Sequence, residues 1–206
     1  MADQLILLTG DIEAPHLTMV IRDLAPDITV THAASADALE AICDGAAGSE
    51  GGVFRRRLIA YCTSIIASPA VLQAMDGPSY NFHPGPPAYP GVHSASFAIF
   101  DQATEFGVTA HVMDETPDAG DIVGIRWFDL AADSNCHELE SRSYLALFDL
   151  FRRLAPRLVD LSTSLETEDT AWGPRRYTKA NFTELATITD AMDSEEIARR
   201  HRAIEF

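Results

Sequence analysis

The sequence has few basic residues and lacks long apolar runs. Lysine and arginine number 15 against 31 aspartate and glutamate residues, which gives a formal net charge of -16. This charge repels nucleic acid and anionic lipid surfaces over the whole molecule. No apolar stretch approaches the ~18 residues that a membrane span needs. The sequence therefore predicts no nucleic-acid partner and no membrane partner.

Cysteine is also scarce. Cys43, Cys62 and Cys136 are odd in number, far apart and outside any metal-type spacing, so neither a disulfide framework nor a zinc knuckle is expected. The N-terminus has no basic region of the kind that opens a secretory signal. We therefore expect a cytoplasmic protein. A homo-oligomer is possible, and the sequence does not determine the oligomeric state.

Strands and helices alternate along the first 160 residues. Apolar residues at 5–8 predict a strand buried on both faces, as in a parallel sheet. Further strands are predicted at 28–32, 58–62, 79–82, 107–113 and 121–128, the last two as antiparallel neighbours. The fold class is therefore α/β, with a mostly parallel sheet, flanking helices and an antiparallel edge.

Helix start and stop signals complete this pattern. Helices are predicted at 16–24 and 94–100. Asp37 and Glu40 have the spacing of a capping box and predict the start of another helix. Ser68 is the predicted N-cap of a further helix. Residues 45–52 are predicted to be a loop.

A long helix and a short extension end the chain. Asn135 and Glu138 have capping-box spacing and open a helix that ends at Pro156. Its predicted buried residues are Leu145, Phe148, Phe151 and Leu154. We expect a catalytic domain at 1–161 and an extension at 162–206 with a terminal helix that begins after Asp193.

Asn81 and His83 lie where a predicted strand runs into a loop rich in proline and glycine. They are two residues apart, so their side chains project from the same face of the strand. Ligands of open α/β sheets bind at this edge. Taken singly, an asparagine or a histidine in a loop is more often a structural hydrogen-bonding residue than a catalytic one.

A second segment supplies the family resemblance. It contains Gly107-Val108-Thr109-Ala110-His111 and then Asp118-Ala119-Gly120-Asp121-Ile122. With the Asn-x-His-Pro segment upstream, it resembles the formyltransferase family, which includes methionyl-tRNA formyltransferase, glycinamide ribonucleotide transformylase and the sugar N-formyltransferases. The resemblance implies a Rossmann-like formyltransferase fold and a one-carbon transfer from 10-formyltetrahydrofolate to an amine.

The resemblance also implies roles for individual residues. Asn81, His83 and Asp118 would be catalytic, because an amide and an imidazole can stabilise an oxyanion and a carboxylate can pair with the imidazole or position a water. Mid-strand His111 is expected to be a packed, hydrogen-bonded residue of the core or pocket wall. The pterin ring would enter a slot formed by Ser64, Ile65, Ile66, Asp114, Glu115, Thr116, Pro117 and Asp118.

The acceptor is the least constrained part of this interpretation. Gly85-Pro86-Pro87 stands where the family usually has Ser-Leu-Leu, and this loop normally helps to shape the acceptor pocket. The acidic charge, and the absence after Phe206 of the additional domain of the tRNA enzymes, disfavour tRNA. We expect a small-molecule amine, such as an amino-sugar nucleotide; glycinamide ribonucleotide stays possible by length.

Other functions remain open at this point. Water in place of the amine would make the protein a formyltetrahydrofolate hydrolase, and the altered loop could mark a folate-binding protein with little turnover. A metal site built from His83, His93, His111 and Asp114 is not predicted, because no two of them have helical ligand spacing.

Overall fold

The computed structural model describes residues 3–46 and 55–205. The strands in these residues are β1 (Gln4–Leu8), β2 (Thr29–Ala33), β3 (Arg56–Tyr61), β4 (Tyr80–His83), β5 (Glu105–Val112) and β6 (Ile122–Asp129). The helices are α1 (Glu13–Leu24), α2 (Ala36–Ala46), α3 (Pro69–Gln73), α4 (Ser94–Phe100), α5 (Cys136–Leu158), α6 (Lys179–Ala186) and α7 (Ser194–Ile204). A search of the described helices found none with the length and apolar character of a membrane span.

The strands form a mixed sheet in the order β2-β1-β3-β4-β5-β6. Strand β1 pairs in parallel with β2 and β3, and β3 pairs in parallel with β4. Strands β5 and β6 are antiparallel, because Val112 N donates to Asp121 O near one end of the pair and Leu130 N donates to Thr104 O near the other. The predicted α/β class, with a parallel sheet and an antiparallel edge, is confirmed.

The strand order reverses direction at β1. The chain moves from β1 to β2 on one side and then returns to place β3 on the other side. In open α/β sheets, ligand crevices lie at the carboxyl ends of the strands beside such a reversal. Residues Leu5 to Leu8 of β1 have no exposed surface, as expected of a strand covered on both faces.

The chain forms two compact units. The first unit contains Met1–His83, Ala110–Gly124 and Phe151–Glu168, and the second contains Pro84–Thr109, Ile125–Leu150 and Asp169–Phe206. The division into a domain at 1–161 and an extension at 162–206 stays a prediction.

Each unit has its own apolar core. Aliphatic residues of β1, β3, α2 and α3 dominate the first, which contains Ile6, Leu8, Leu39, Leu58 and Val71. The second is built around aromatic residues and includes Phe97, Phe106, Leu139, Tyr177 and Leu185.

Helix starts differ from the predictions in two places. Helix α1 begins at Glu13, three residues before the predicted start, because Pro15 is accepted in a first helical turn. The capping box of Asp37 and Glu40 is wrong: Ser35 Oγ accepts from Ala38 N, so Asp37 lies inside the first turn of α2. Of the loop predicted at 45–52, Gly45 and Ala46 belong to α2 instead. Residues 47–52 of this predicted loop lie outside the described residues.

The start of α5 is confirmed and its burial pattern is partly wrong. Asn135 Oδ1 accepts from Glu138 N at 2.9 Å, and Glu138 Oε2 accepts from Asn135 N at 3.4 Å. Phe151 is buried as predicted, whereas Leu145 is 67% exposed, because the buried face of the helix passes through Leu147 and Leu150.

Three further features in the last third of the chain concern helix signals. Helix α5 continues through Pro156 to Leu158, so the prediction that this proline ends the helix is wrong. Helix α6 was not predicted, although Thr178 and Asn181 form a reciprocal capping box at its start. The predicted N-cap of the terminal helix is confirmed, since Asp193 Oδ1 accepts from Glu196 N.

Arg57 stabilises the end of α5. This β3 residue is 2% exposed, and its guanidinium donates to the carbonyl oxygens of Leu158, Asp160 and Thr163 at 2.8, 3.1 and 2.6 Å. The last carbonyls of a helix lack intrahelical donors. A buried cation therefore supplies the hydrogen bonds that the end of α5 and the following turn need.

We predict that Arg57→Met lowers the free energy of unfolding by about 3 kcal/mol, because several buried carbonyls lose their donor. Arg55→Met is the matched control: Arg55 forms a partly exposed ion pair with Asp3 at 2.7 Å, and its loss should cost about 1 kcal/mol or less. Urea denaturation of both variants measures the difference. Equal, small losses would contradict the role of Arg57.

Candidate active site

Strand β4 brings Asn81 and His83 to the carboxyl edge of the sheet. His83 is the last residue of the strand, and its side chain is 8% exposed. The two residues are separated by Phe82, which is fully buried and packs edge-on against Phe151, with 5.3 Å between ring centroids. Packing of Phe82 on the opposite face therefore fixes the face from which Asn81 and His83 project.

Asp118 lies in the turn between β5 and β6. Its backbone φ is +49°, a left-handed conformation that aspartate adopts more readily than most residues, and its side chain is only 10% exposed. Asp118 Oδ1 lies 3.7 Å from His83 Nδ1 and 3.4 Å from His111 Nε2. One largely buried carboxylate thus faces two imidazoles.

His111 connects this carboxylate to Asn81. It belongs to β5 and is 2% exposed. Its Nδ1 lies 2.8 Å from the carbonyl oxygen of Val112, and its Nε2 lies 3.0 Å from Asn81 Nδ2. A carbonyl oxygen can only accept, so Nδ1 must carry the proton, and Nε2 of the neutral ring is then an acceptor.

This tautomer fixes the orientation of the Asn81 amide. An unprotonated Nε2 needs a donor, and the NH₂ group of Asn81 is the part of the amide that can donate. One N–H of Asn81 is therefore used by His111, which leaves the second N–H and the amide oxygen for other partners. The arrangement holds a hydrogen-bond donor beside His83.

Asp118 suits charge pairing with the imidazoles. The 3.7 Å between Asp118 Oδ1 and His83 Nδ1 is longer than a direct hydrogen bond and matches an ion pair or a bridging water. A proton that arrives on His83 meets this negative charge. The three predicted catalytic residues, Asn81, His83 and Asp118, lie together, and His111 joins them.

The predicted pterin-binding residues occupy two segments of the first unit. Residues 63–68 form neither helix nor strand and follow β3; within them Ile65 packs on the core while Ile66 is 66% exposed. In the second segment, Met113 packs against the same core as Ile65, and Asp114 Oδ1 accepts from Glu115 N at 2.6 Å. The assignment of these residues to a folate site stays a prediction.

His111 was predicted only as a packed, hydrogen-bonded residue of the core or pocket wall, not as a member of the site. The expectation of a buried, hydrogen-bonded residue agrees with its place in β5. Its contact with Asn81 could have been anticipated from the two segments together, because residues opposite each other on neighbouring strands touch. The position of His111 within its own strand does not show which residue of the neighbouring strand it contacts.

In residues 3–46 and 55–205, no group of three or more histidine, cysteine, aspartate or glutamate side chains has the geometry of a metal site.

We predict that neutral His111 is the Nδ1–H tautomer, because Nδ1 faces the Val112 carbonyl. His32 is the internal control: its Nε2 lies 2.9 Å from the carbonyl oxygen of Thr9, so neutral His32 should be the opposite, Nε2–H tautomer. Long-range ¹H–¹⁵N spectra distinguish the two forms, with a His111→Gln variant to assign the signals. An Nε2–H form at His111 would refute the orientation of Asn81 given above.

We also predict that Gly120→Ala disturbs the site from the turn. A Cβ at residue 120 would overlap the Val112 carbonyl oxygen, the group that holds His111. Overpacking of this kind costs about 1–3 kcal/mol of stability, and the His111 ring resonances should shift. Gly77→Ala is the control, since a Cβ there meets nothing within 4 Å. Unchanged His111 resonances in Gly120→Ala would contradict this prediction.

Comparisons with known proteins agree with the site. Residues 57–145 match the family model described as formyl transferase, and this segment contains all four clustered residues. No curated protein matches the chain.

Solved structures of formyltransferases share the fold. A sugar N-formyltransferase from a Shewanella species is 14% identical, with a TM-score of 0.76 and coverage of 98% of this chain and 87% of that one. An N-formyltransferase from Helicobacter canadensis, solved with folinic acid and dTDP-3-aminofucose, is 16% identical, with a TM-score of 0.71 and coverage of 100% and 81%. A 4-N formyltransferase from Francisella tularensis is 15% identical, with a TM-score of 0.72 and coverage of 98% and 87%.

The family match covers β3 to the first part of α5, and the fold likeness extends over nearly the whole chain. The buried cluster of Asn81, His83, His111 and Asp118 lies inside the matched segment. The matched segment is therefore similar to formyl transferases, and nearly the whole chain has the fold of the solved formyltransferases.

Proposed function

We propose that the protein transfers a formyl group from 10-formyltetrahydrofolate to the amine of an amino-sugar nucleotide. The observation that carries the proposal is the buried cluster in which an amide donor, two imidazoles and one carboxylate meet. Attack of an amine on a formyl carbon needs the functions that these groups supply, namely stabilisation of negative charge on the formyl oxygen and movement of a proton.

Asn81 and His83 stabilise the charge on oxygen. As the amine nitrogen bonds to the formyl carbon, the carbonyl oxygen gains negative charge. The Asn81 N–H that His111 does not use, and the ring N–H of His83, are donors held in place before the reaction begins. Donors fixed in this way stabilise the charge without reorganisation, and the loss of one such donor costs about 10²–10³ in rate.

Asp118 and His83 assist the proton transfer. The attacking nitrogen must lose a proton, and N10 of the folate must gain one when its bond to the formyl carbon breaks. Asp118, 3.7 Å from the His83 ring, favours the protonated imidazole by charge and leaves room for a water between them. His111 acts as a positioning residue in this scheme, because it orients Asn81.

The donor fits the segments that follow β3 and β5. The turn at 114–118 supplies backbone groups for the polar edge of a pterin, and exposed Ile66 supplies apolar surface for its flat face. The donor brings an activated one-carbon unit; the protein orients it. The acceptor class is proposed from the neighbours, since the Helicobacter canadensis enzyme was solved with dTDP-3-aminofucose.

We predict that the purified protein forms a formamide when it is incubated with 10-formyltetrahydrofolate and a panel of amino-sugar nucleotides. Mass spectrometry of the nucleotide detects the added formyl group. His83→Ala should lower kcat/KM about 10²-fold or more, as expected for the loss of a positioned acid or base. His16→Ala, an exposed histidine of α1, is the matched control and should retain full activity.

Two outcomes would contradict this function. Release of formate without any acceptor would identify a hydrolase. Tight folate binding without formate or formamide, unaffected by His83→Ala, would identify a folate-binding protein without turnover.

A further inference from the structure

A small cavity in the second unit brings together several polar side chains. It has a volume of about 80 Å³ and lies between residues 99–104 at the end of α4, residues 130–134 between β6 and α5, and α7. All of its lining residues belong to the second unit, whereas the cluster at the candidate active site belongs to the first. The cavity is therefore a separate place in the molecule.

Arg202 supplies a positive charge to this cavity. It lies in the last turn of α7, where a cation is favoured by the helix dipole, and its side chain is partly buried. Its Nε is buried and has no hydrogen-bond acceptor in residues 3–46 and 55–205. A buried N–H without an acceptor costs stability. The helix end explains the charge of Arg202 but not the burial of this N–H.

The other two arginines of α7 have partners. Arg200 pairs with Glu196 at 2.9 Å and donates to the carbonyl oxygen of Leu185 at 2.8 Å. Arg199 places its guanidinium 4.6 Å from the ring centroid of Phe100. In the part of the chain that the structure describes, Arg202 has neither a carboxylate nor an aromatic ring as partner. Of the three, Arg202 is thus the one whose surroundings indicate a ligand.

Ser134 and Gln102 add uncharged donors to the cavity wall. Ser134 is 9% exposed, and its hydroxyl has no hydrogen-bond partner within the described ranges. Gln102 has a φ of +55° just after α4, where its N–H donates to Ile99 O and the N–H of Ala103 donates to Ala98 O. Glycine is the usual residue at this position of a helix C-terminus. The chain has glutamine there instead, which places a carboxamide at the cavity.

The lining favours an anion that has a small apolar part. Among the described residues, no aspartate or glutamate lines the cavity. Ile99 and Leu130, which are 6% and 7% exposed, give it an apolar wall. A water takes about 30 Å³ in the liquid, so a cavity of about 80 Å³ has room for roughly three waters or for one molecule of about four to six non-hydrogen atoms.

From these observations we propose that the cavity binds a small monocarboxylate of about two or three carbons. The carboxylate lies on Arg202, because the Nε–H and the adjacent Nη–H of a guanidinium form an edge that matches two carboxylate oxygens. The Ser134 hydroxyl and the Gln102 amide donate to the same oxygens, and the alkyl group contacts Ile99 and Leu130. The bound anion connects α7 to the ends of α4 and β6, and so stabilises the second unit.

Acetate is the probe for this site. The full chain is titrated at constant ionic strength, with chloride as the balancing anion, and the arginine Nε–H signals are followed in ¹H–¹⁵N spectra. The Arg202 signal, assigned with R202Q, should shift with saturation. The signal of Arg199, whose Nε is also buried on the same helix, should stay in place. Acetate should also raise the Tm of the wild type, because it binds only the folded state.

Two variants test the contacts. R202Q should raise the Kd for acetate at least about 10-fold, because a hydrogen bond between charged groups is lost. R199Q is the matched control, since it lies on the same helix, changes the net charge equally and faces Phe100; it should keep the wild-type Kd. S134A removes one hydroxyl without a change in charge and should raise the Kd about 10-fold. If R202Q does not fold, S134A decides the test.

Several results would overturn the proposal. An Arg202 signal that does not shift with acetate would show that water alone fills the cavity. A wild-type Kd in R202Q or S134A, or an equal loss of affinity in R199Q, would place acetate elsewhere. Phosphate or benzoate that binds as tightly as acetate would contradict the chemical class and the size of the ligand. The test involves no formyl transfer, so a failure of the proposed function leaves this site standing.

Discussion

The hydrogen bond between His111 Nδ1 and the Val112 carbonyl oxygen is the constraint on which the site depends. Because a carbonyl cannot donate, it decides which nitrogen of His111 carries the proton. That decision makes Nε2 an acceptor and turns the NH₂ group of Asn81 toward it. The orientation of the Asn81 amide thus follows from a backbone group one residue away from the imidazole, inside the fixed geometry of β5.

The turn that carries Asp118 depends on the same carbonyl. Gly120 leaves room for the Val112 oxygen, and Asp118 accepts a left-handed backbone conformation that directs its carboxylate between two imidazoles. Strained backbone of this kind persists where the surrounding structure over-determines it, and it is common at functional sites. The short Asp-x-Gly sequence therefore has a steric role as well as a chemical one.

The sequence was sufficient for much of the fold and for part of the site. The alternation of apolar runs with helix signals located the strands, and the spacing of Asn81 and His83 correctly placed both residues at the end of one strand. Exposure of Leu145 was not predictable, because several apolar residues of α5 compete for the buried face and only tertiary packing selects among them. The contact between Asn81 and His111 also needed the sheet, since it joins residues 30 positions apart. The Thr178 cap of α6 was readable from the sequence and was overlooked.

The central claim is that the cluster of Asn81, His83, His111 and Asp118 is where the formyl donor reacts. The most direct measurement is an NMR titration with 5-formyltetrahydrofolate, a stable analogue of the donor, observed at the histidine rings. The account predicts that the His83 and His111 resonances shift together with saturation, while those of exposed His16 and His137 stay in place. Saturable binding that leaves His83 and His111 unperturbed would contradict it.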